Sequence, residues 1–247
     1  MHYGSVAQTA IAIVVLAVVT LVAMSLGRVD QRLNFVGAAL RSIVQLVLVA
    51  LVVAWVFLHP AGAGLYLSLM VLAAAATSVR RIRCGWRNYG RVLAPLIGGV
   101  LLAVIPVVAT GALPLATQSI LPFTAQVIGG SMIAMSLSGT RFRDNVVDQW
   151  DIVEGHIALG ANARQSVAEL GQVAVGRALI PSLDQTRSAG LVTLPGAFVG
   201  MLLGGATPAQ AAQIQVLVLV ALLAAATSAS VGLVWMLAPQ FGSLRPS

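Results

Sequence analysis

Lysine is absent from the 247 residues, cysteine occurs once, and only 9% of the chain is charged. Each shortage excludes something. A Walker A loop needs a lysine on the β- and γ-phosphates, so the chain holds no such nucleotide site of its own. Cys84, standing alone, rules out an internal disulfide and any CxxC metal or redox pair. Soluble domains carry roughly 25% charged residues. A chain with 59% hydrophobic residues and a mean hydropathy of +0.96 needs lipid as its solvent. A soluble enzyme and a self-contained ATPase are both excluded.

What is present is arginine and long apolar runs. All 14 basic residues are Arg, and the net charge is +7. A basic chain can signal nucleic acid or an acidic membrane surface. No basic patch is interleaved with aromatics, which make up 5% of the chain, so nucleic acid is not expected as a partner. The partner implied by the apolar runs is the lipid bilayer.

Those runs lie at about 6–26, 35–58, 64–79, 92–113, 121–140, 188–205 and 213–238. At about 1.5 Å per helical residue most reach the roughly 30 Å of hydrocarbon. The expected fold is an all-α integral membrane protein of about seven transmembrane helices, one transmembrane domain over 1–247. The N-terminus has no basic n-region, so the first run reads as a retained span and not a signal peptide.

The connectors can be signed. Arg28, Asp30 and Arg32 follow the first run, and Arg80, Arg81, Arg83, Arg87 and Arg91 follow the third. The stretch 141–187 follows the fifth, and Arg245 lies in the tail. The other connectors carry no Arg, Asp or Glu. Positive charge accumulates on the cytosolic side, which predicts a multi-pass protein of the cell membrane with its N-terminus outside and its C-terminus in the cytosol.

Within 141–187 the acidic residues Asp144, Asp148, Asp151 and Glu154 precede a glycine break at Gly155–Gly160. Asn162 with Gln165 resembles a capping box. Val167, Leu170, Val173 and Ala174 then recur at helical spacing. The reading is a cytosolic amphipathic segment of two helices and an elbow, ended near Pro181, needing a neighbouring subunit to pack on. A solvated hairpin with no partner is the plainer alternative.

Few residues can carry chemistry. Arg41 is a charge inside an apolar run, one turn from Gln45; it either snorkels to the interface or lines a cavity. Gln126, Ser131, Met132 and Met135 offer polar and soft groups on the fifth run, against ordinary packing. No acidic residue lies at mid-membrane. Asp184 comes closest, at the expected cytosolic mouth of the sixth run, which weakens a proton- or sodium-coupled carrier. Pro195 should kink that run, and Gly196, Gly200 and Gly204 share a face at GxxxG spacing that suits packing or a hinge. His2, His59 and His156 are scattered and form no readable metal site.

The runs Leu159-Gly160-Ala161, Arg177-Ala178-Leu179-Ile180-Pro181-Ser182-Leu183-Asp184 and Gly190-Leu191-Val192-Thr193-Leu194-Pro195-Gly196 resemble the permeases of Fet-type iron-export ABC transporters. The same family contains the plant aluminium-tolerance permeases. The likeness continues through Gly200, Gly204, Pro208, Ala211 and Gln215, and Arg41 with Gln45 looks like the family's R-x-x-x-Q. The fifth run departs from the family's G-M-I-x-G-N-(S/A)-M pattern, reading Ala125-Gln126-Val127-Ile128-Gly129-Gly130-Ser131-Met132. Substrate identity is therefore not carried over.

The resemblance implies a permease subunit that exports a metal ion or small solute. It would pair with a second copy and dock two cytosolic ATP-binding subunits, which would hold ATP and Mg while this chain binds no cofactor. Glu154, Gly160, Ala161, Arg164 and Glu169 would couple it to them. Read from the residues themselves, Arg41, Gln45, Gln126, Ser131, Met132 and Asp184 are the candidates for the substrate pathway. A stand-alone secondary transporter and a non-transporting membrane scaffold are the rival readings.

Overall fold

The structure, a computed structural model, describes residues 6–28 and 32–243. His2, Asp30 and Arg245 lie outside the described residues. Among the described residues nine α-helices follow in order: α1 (Val6–Leu26), α2 (Arg32–Leu58), α3 (Gly62–Ile82), α4 (Tyr89–Ala109), α5 (Thr117–Asp148), α6 (Trp150–Ala158), α7 (Ala168–Ser188), α8 (Gly196–Leu203) and α9 (Pro208–Phe241). No strand occurs among the described residues, and six helices are long and apolar enough to cross a membrane. These are α1 to α5, α4 with its preceding 3-10 turn, and α9. The all-α membrane architecture read from the sequence is what is found.

The chain divides into two units, Met1–Leu58 and His59–Ser247. The first holds α1 and α2. α1 is apolar nearly all round and α2 mostly so, and both are exposed along nearly their whole length, with Leu16 65% and Leu46 68% exposed. Their rare hydroxyls turn back on the helix: Thr20 donates to the Leu16 carbonyl and Ser42 to that of Ala39, both at 2.8 Å. Backbone groups satisfied within the segment are what lipid demands.

The second unit is a bundle around α5 and α9, which run parallel. Small residues let the helices approach closely. Gly99 of α4 lies against Ala225 and Ala229 of α9, Gly130 of α5 against Leu222, and Gly139 of α5 against Ile82 and Leu233. Ser136 of α5 donates to Ser78 of α3 at 2.9 Å in a buried contact. At about 1.5 Å per residue, α5 with 32 residues and α9 with 34 measure about 48 and 51 Å, well beyond the hydrocarbon. One end of the bundle gathers Arg80, Arg81, Arg83, Arg141, Arg143 and Arg164. The other end, at the α4–α5 and α8–α9 connections, has no charge.

The stretch between α5 and α9 differs from expectation. The run 188–205 is not one apolar helix: α7 ends at Ser188, a turn follows, and α8 has only eight residues. Nor does all of 141–187 project from the bundle. Gly171 of α7 packs on Val234 and Phe142, and Pro181 to Thr186 lie beside Leu219 and Leu222. Pro195 and Phe198 lie beside Ala212 and Val216. So α7, the turn and α8 together run antiparallel to α9 along its length. The cause is composition: Glu169, Arg177, Asp184 and Arg187 dilute the apolar signal of α7, so an apolar run marks only the last part of this broken helix. The projecting element is therefore shorter, the charged end of α5, α6 and the loop to 167.

Pro195 opens α8 as its N-cap residue, with extended backbone (ψ 147°), and does not kink a continuous helix. A proline is well placed there because the first amides of a helix have no acceptor to lose. Gly196 and Gly200 face open space, and Gly204 meets only its own helix, so no GxxxG contact forms within one copy of the described chain.

Candidate functional site

A cavity of about 260 Å³ opens between α5, α7 and α9 in the middle of the bundle. Gln126, Gly130 and Ile133 line it from α5, and Ser182, Gln185 and Thr186 from α7. Leu219, Leu222 and Ala226 of α9 form its apolar wall. Pro181 stands at its edge and lacks the amide that would bond back to residue 177. Thr186 donates its hydroxyl to the Ser182 carbonyl at 2.9 Å.

A second cavity of about 210 Å³ continues towards the uncharged end and shares Thr186 and Leu219 with the first. The turn between α7 and α8 lines it through Ala189, Gly190, Leu194 and Pro195. Gly190 adopts φ +85°, and its amide bonds the Thr193 carbonyl at 2.9 Å. Non-helical backbone at membrane depth is tolerated only where protein covers it or a polar cavity solvates it. Gln215 lines the same cavity, is only 5% exposed, and its Oε1 has no partner among the described residues. Together the two cavities present amides, hydroxyls and backbone but no charged side chain.

Of the residues expected on the pathway, Gln126 alone lines the first cavity. Ser131 is fully buried away from it and Met132 packs on the core. Asp184 lies level with the cavity but on the opposite side of α7, 63% exposed and 3.7 Å from Arg187. It is thus not at the mouth of a span but well along the broken helix. Arg41 and Gln45 belong to the first unit, one turn apart on α2 and both exposed.

The residues expected to couple the chain to a partner, Glu154, Gly160, Ala161, Arg164 and Glu169, lie together at the arginine-rich end. The charged end of α5 leads into α6, where the Trp150 indole donates to Glu154 at 2.6 Å. Gly160 takes φ +94°, a conformation that favours glycine, and turns the chain through amide bonds from Gly160 to Ile157 and from Ala161 to His156. The capping box forms: Asn162 accepts from the Gln165 amide at 2.9 Å, and Gln165 returns its side-chain oxygen to the Asn162 amide at 3.0 Å. Arg164 lies over the ring of Trp235 at 4.1 Å. Glu169 stands exposed in the first turn of α7.

Sequence reasoning passed over Ser182, Gln185 and Thr186 because it placed them in solvent, where polar residues are unremarkable. A proline flanked by hydroxyl and amide residues at helical spacing was the available signal. It also passed over the apolar surface of the projecting element: Leu159 is 87% exposed and Ile152 52%.

Among the described residues, no three His, Cys, Asp or Glu side chains converge to hold a metal. No solved structure matches the chain. Curated proteins do. A rice protein named UPF0014 membrane protein STAR2 is 30% identical over 217 residues, covering 85% of this chain and 76% of its own. Protein ALUMINUM SENSITIVE 3 of Arabidopsis is 29% identical over 234 residues, covering 94% and 85%. The probable iron export permease protein FetB of Escherichia coli is 27% identical over 195 residues, covering 77% and 74%. The model of an uncharacterised protein family, UPF0014, matches residues 6–241, nearly the whole chain. With six apolar helices, a polar mid-bundle cavity and a permease among its relatives, the chain belongs to the UPF0014 family of membrane proteins.

Proposed function

We propose that this chain is the membrane subunit of an ATP-binding-cassette exporter for a metal ion or small solute. ATP and Mg would be held by a separate cytosolic subunit, two copies of which would serve a pair of these chains. The relative named as a probable iron export permease supports a transport role, and the arginine-rich end would face the cytosol by the positive-inside rule. The protein would then sit in the cell membrane with its N-terminus outside.

The observation that carries this reading is the projecting element. It is stiff, with a capped turn and a glycine elbow, and it presents Leu159 and Ile152 to solvent. It is also continuous with α5 and α7, which wall the cavity. Closure of two ATP-binding subunits would press on α6 and shift α7 against α5 and α9. The turn at 189–195 lets α7 move without dragging α8 rigidly along, since a few non-helical residues can absorb the change in φ and ψ.

The test is co-purification of this chain with an ATP-binding subunit encoded nearby, followed by ATPase and transport measurements in proteoliposomes. Substrate-stimulated hydrolysis with vectorial export is the expected result. Transport by the chain alone under an ion gradient would replace this reading with secondary transport.

A further inference from the structure

The first amides of α8 have no acceptor. Its N-cap residue, Pro195, carries no side-chain oxygen, and no described residue accepts from the amides of Gly196, Ala197 or Phe198. Those amides point back along the helix axis, past Pro195 and Leu194, which line the second cavity together with Phe198. Gln215 of α9 lines the same cavity, only 5% exposed and with no partner for its Oε1 among the described residues. A carboxamide so placed can turn either its oxygen or its NH2 to a ligand. Two separate helices thus leave polar groups unmet on one cavity.

The contacts place this cavity near the uncharged mouth of the bundle. Gly139 meets Ile82 and Leu233 at the arginine-rich end, and at about 1.5 Å per residue Gln215 lies about 27 Å further along α9. That is close to the roughly 30 Å of hydrocarbon. Unmet amides give a helix start about half a positive charge, and broken membrane helices turn such ends towards anionic groups of a cargo. Nothing acidic opposes an anion here. α8 and α9 contain no Asp or Glu, and those of α5 lie in its last turns at the other end. Asp184 is exposed and paired with Arg187. Gly196 has open space on its side-chain face, so a ligand atom can come close to the backbone.

We infer that the start of α8 and Gln215 together form an oxyanion subsite at the uncharged mouth, built for a carboxylate or phosphate group. The α8 amides donate to its oxygens. Gln215 donates its NH2 to a bare oxygen or accepts from a protonated one. Assigning that group to the cargo rests on the transport reading above and deepens it: the cargo carries an oxyanion.

The test uses the full chain in opened native membranes with Leu194→Cys, a 63%-exposed position on the cavity wall, in a Cys84→Ser background. Labelling by an uncharged maleimide is timed with inorganic phosphate, with acetate, and with chloride at equal ionic strength. An oxyanion at ten times its dissociation constant should slow labelling about tenfold, and chloride should not. Protection by phosphate alone assigns a phosphate-bearing cargo, protection by acetate alone a carboxylate-bearing one, and protection by both the chemistry they share. Pro195→Asp should abolish protection, because its own carboxylate then caps α8, and should raise the melting temperature, which shows that the variant folds. Gly196→Pro removes one donor where proline suits a helix start and should weaken protection about tenfold, as one charge-assisted bond is lost. Gly196→Ala keeps that amide and should match the parent. Gln215→Leu should weaken protection as well.

A cavity that holds only water gives no protection by either oxyanion, and that result overturns the inference. So does equal protection by chloride, unchanged protection in Pro195→Asp or Gln215→Leu, or inertness of Leu194→Cys, since the anion must arrive through water. No readout needs transport or an ATP-binding subunit. Loss of ATP-coupled export would strike the proposed function and leave the subsite standing.

Discussion

The guanidinium of Arg164 stacks over the indole of Trp235, 4.1 Å from its centre, and so clasps the α6–α7 connector to the last helix. Trp235 is itself 55% exposed, so little else covers that face. Such a contact contributes about 0.5–2 kcal/mol depending on how dry it is. Arg164→Ala and Trp235→Ala should each speed amide exchange across residues 159–167 while leaving α5 and α9 protected. Arg164→Lys should fall between, because an ammonium lacks the flat face that stacks. Hydrogen exchange with mass readout checks this.

Leu159 and Gly160 divide the projecting element into a contact and a turn. Leu159→Glu should leave insertion and thermal stability unchanged, because no contact within the chain is lost, and abolish capture of the proposed ATP-binding subunit. Gly160→Asp should insert normally and uncouple ATP hydrolysis from transport, since φ +94° disfavours a side chain. Pull-down and ATPase assays on both variants separate the two effects; an intact coupled Gly160→Asp protein would remove the connector from the mechanism.

Gly99 and Gly200 should behave oppositely. A Cβ at Gly99 would sit 2.7 Å from the Ala225 carbonyl oxygen, a backbone atom that cannot swing aside. Gly99→Val should therefore lose about 1–3 kcal/mol by overpacking, seen as a lower melting temperature in detergent. Gly200 faces open space, so Gly200→Ala should be neutral or slightly stabilising through helix propensity. Thermal unfolding of the two purified variants is a direct comparison.

Gln215 holds a buried amide oxygen with no partner among the described residues. Leaving such an acceptor unpaired costs about 1–3 kcal/mol. Gln215→Leu should raise the melting temperature of the empty protein by removing that unpaired acceptor, and it should lower the transport rate if the amide serves the cargo in the proposed transport cycle. A variant that gains stability and transports normally would return Gln215 to a packing role.

The membrane architecture was legible because lipid imposes a simple rule on composition: α1, α2 and α9 are apolar for long enough that no other reading survives. The Asn162–Gln165 cap was legible for a local reason, two side chains three residues apart answering each other's amides. The return helix was not. Apolarity finds helices that face lipid, and α7 faces a cavity on one side and an unpartnered charged surface on the other. Its Arg177 and Asp184 therefore read as loop charges. Ser131 was a plausible ligand by type, yet depth and helix face turned it into the core, which only the fold decides.

The parallel arrangement of α5 and α9 has one further consequence. Two parallel neighbours cannot be joined by a hairpin, so the chain must come back across the bundle between them. That obligatory return is α7 with α8, and its inner bend is the α6 connector. The handle that a partner would grip and the wall that a cargo would touch are therefore a single covalent lever. Only eight residues lie between Leu159 and the start of α7 at Ala168. A displacement at the surface would reach the interior through backbone alone, without relay through side chains that would each have to change rotamer.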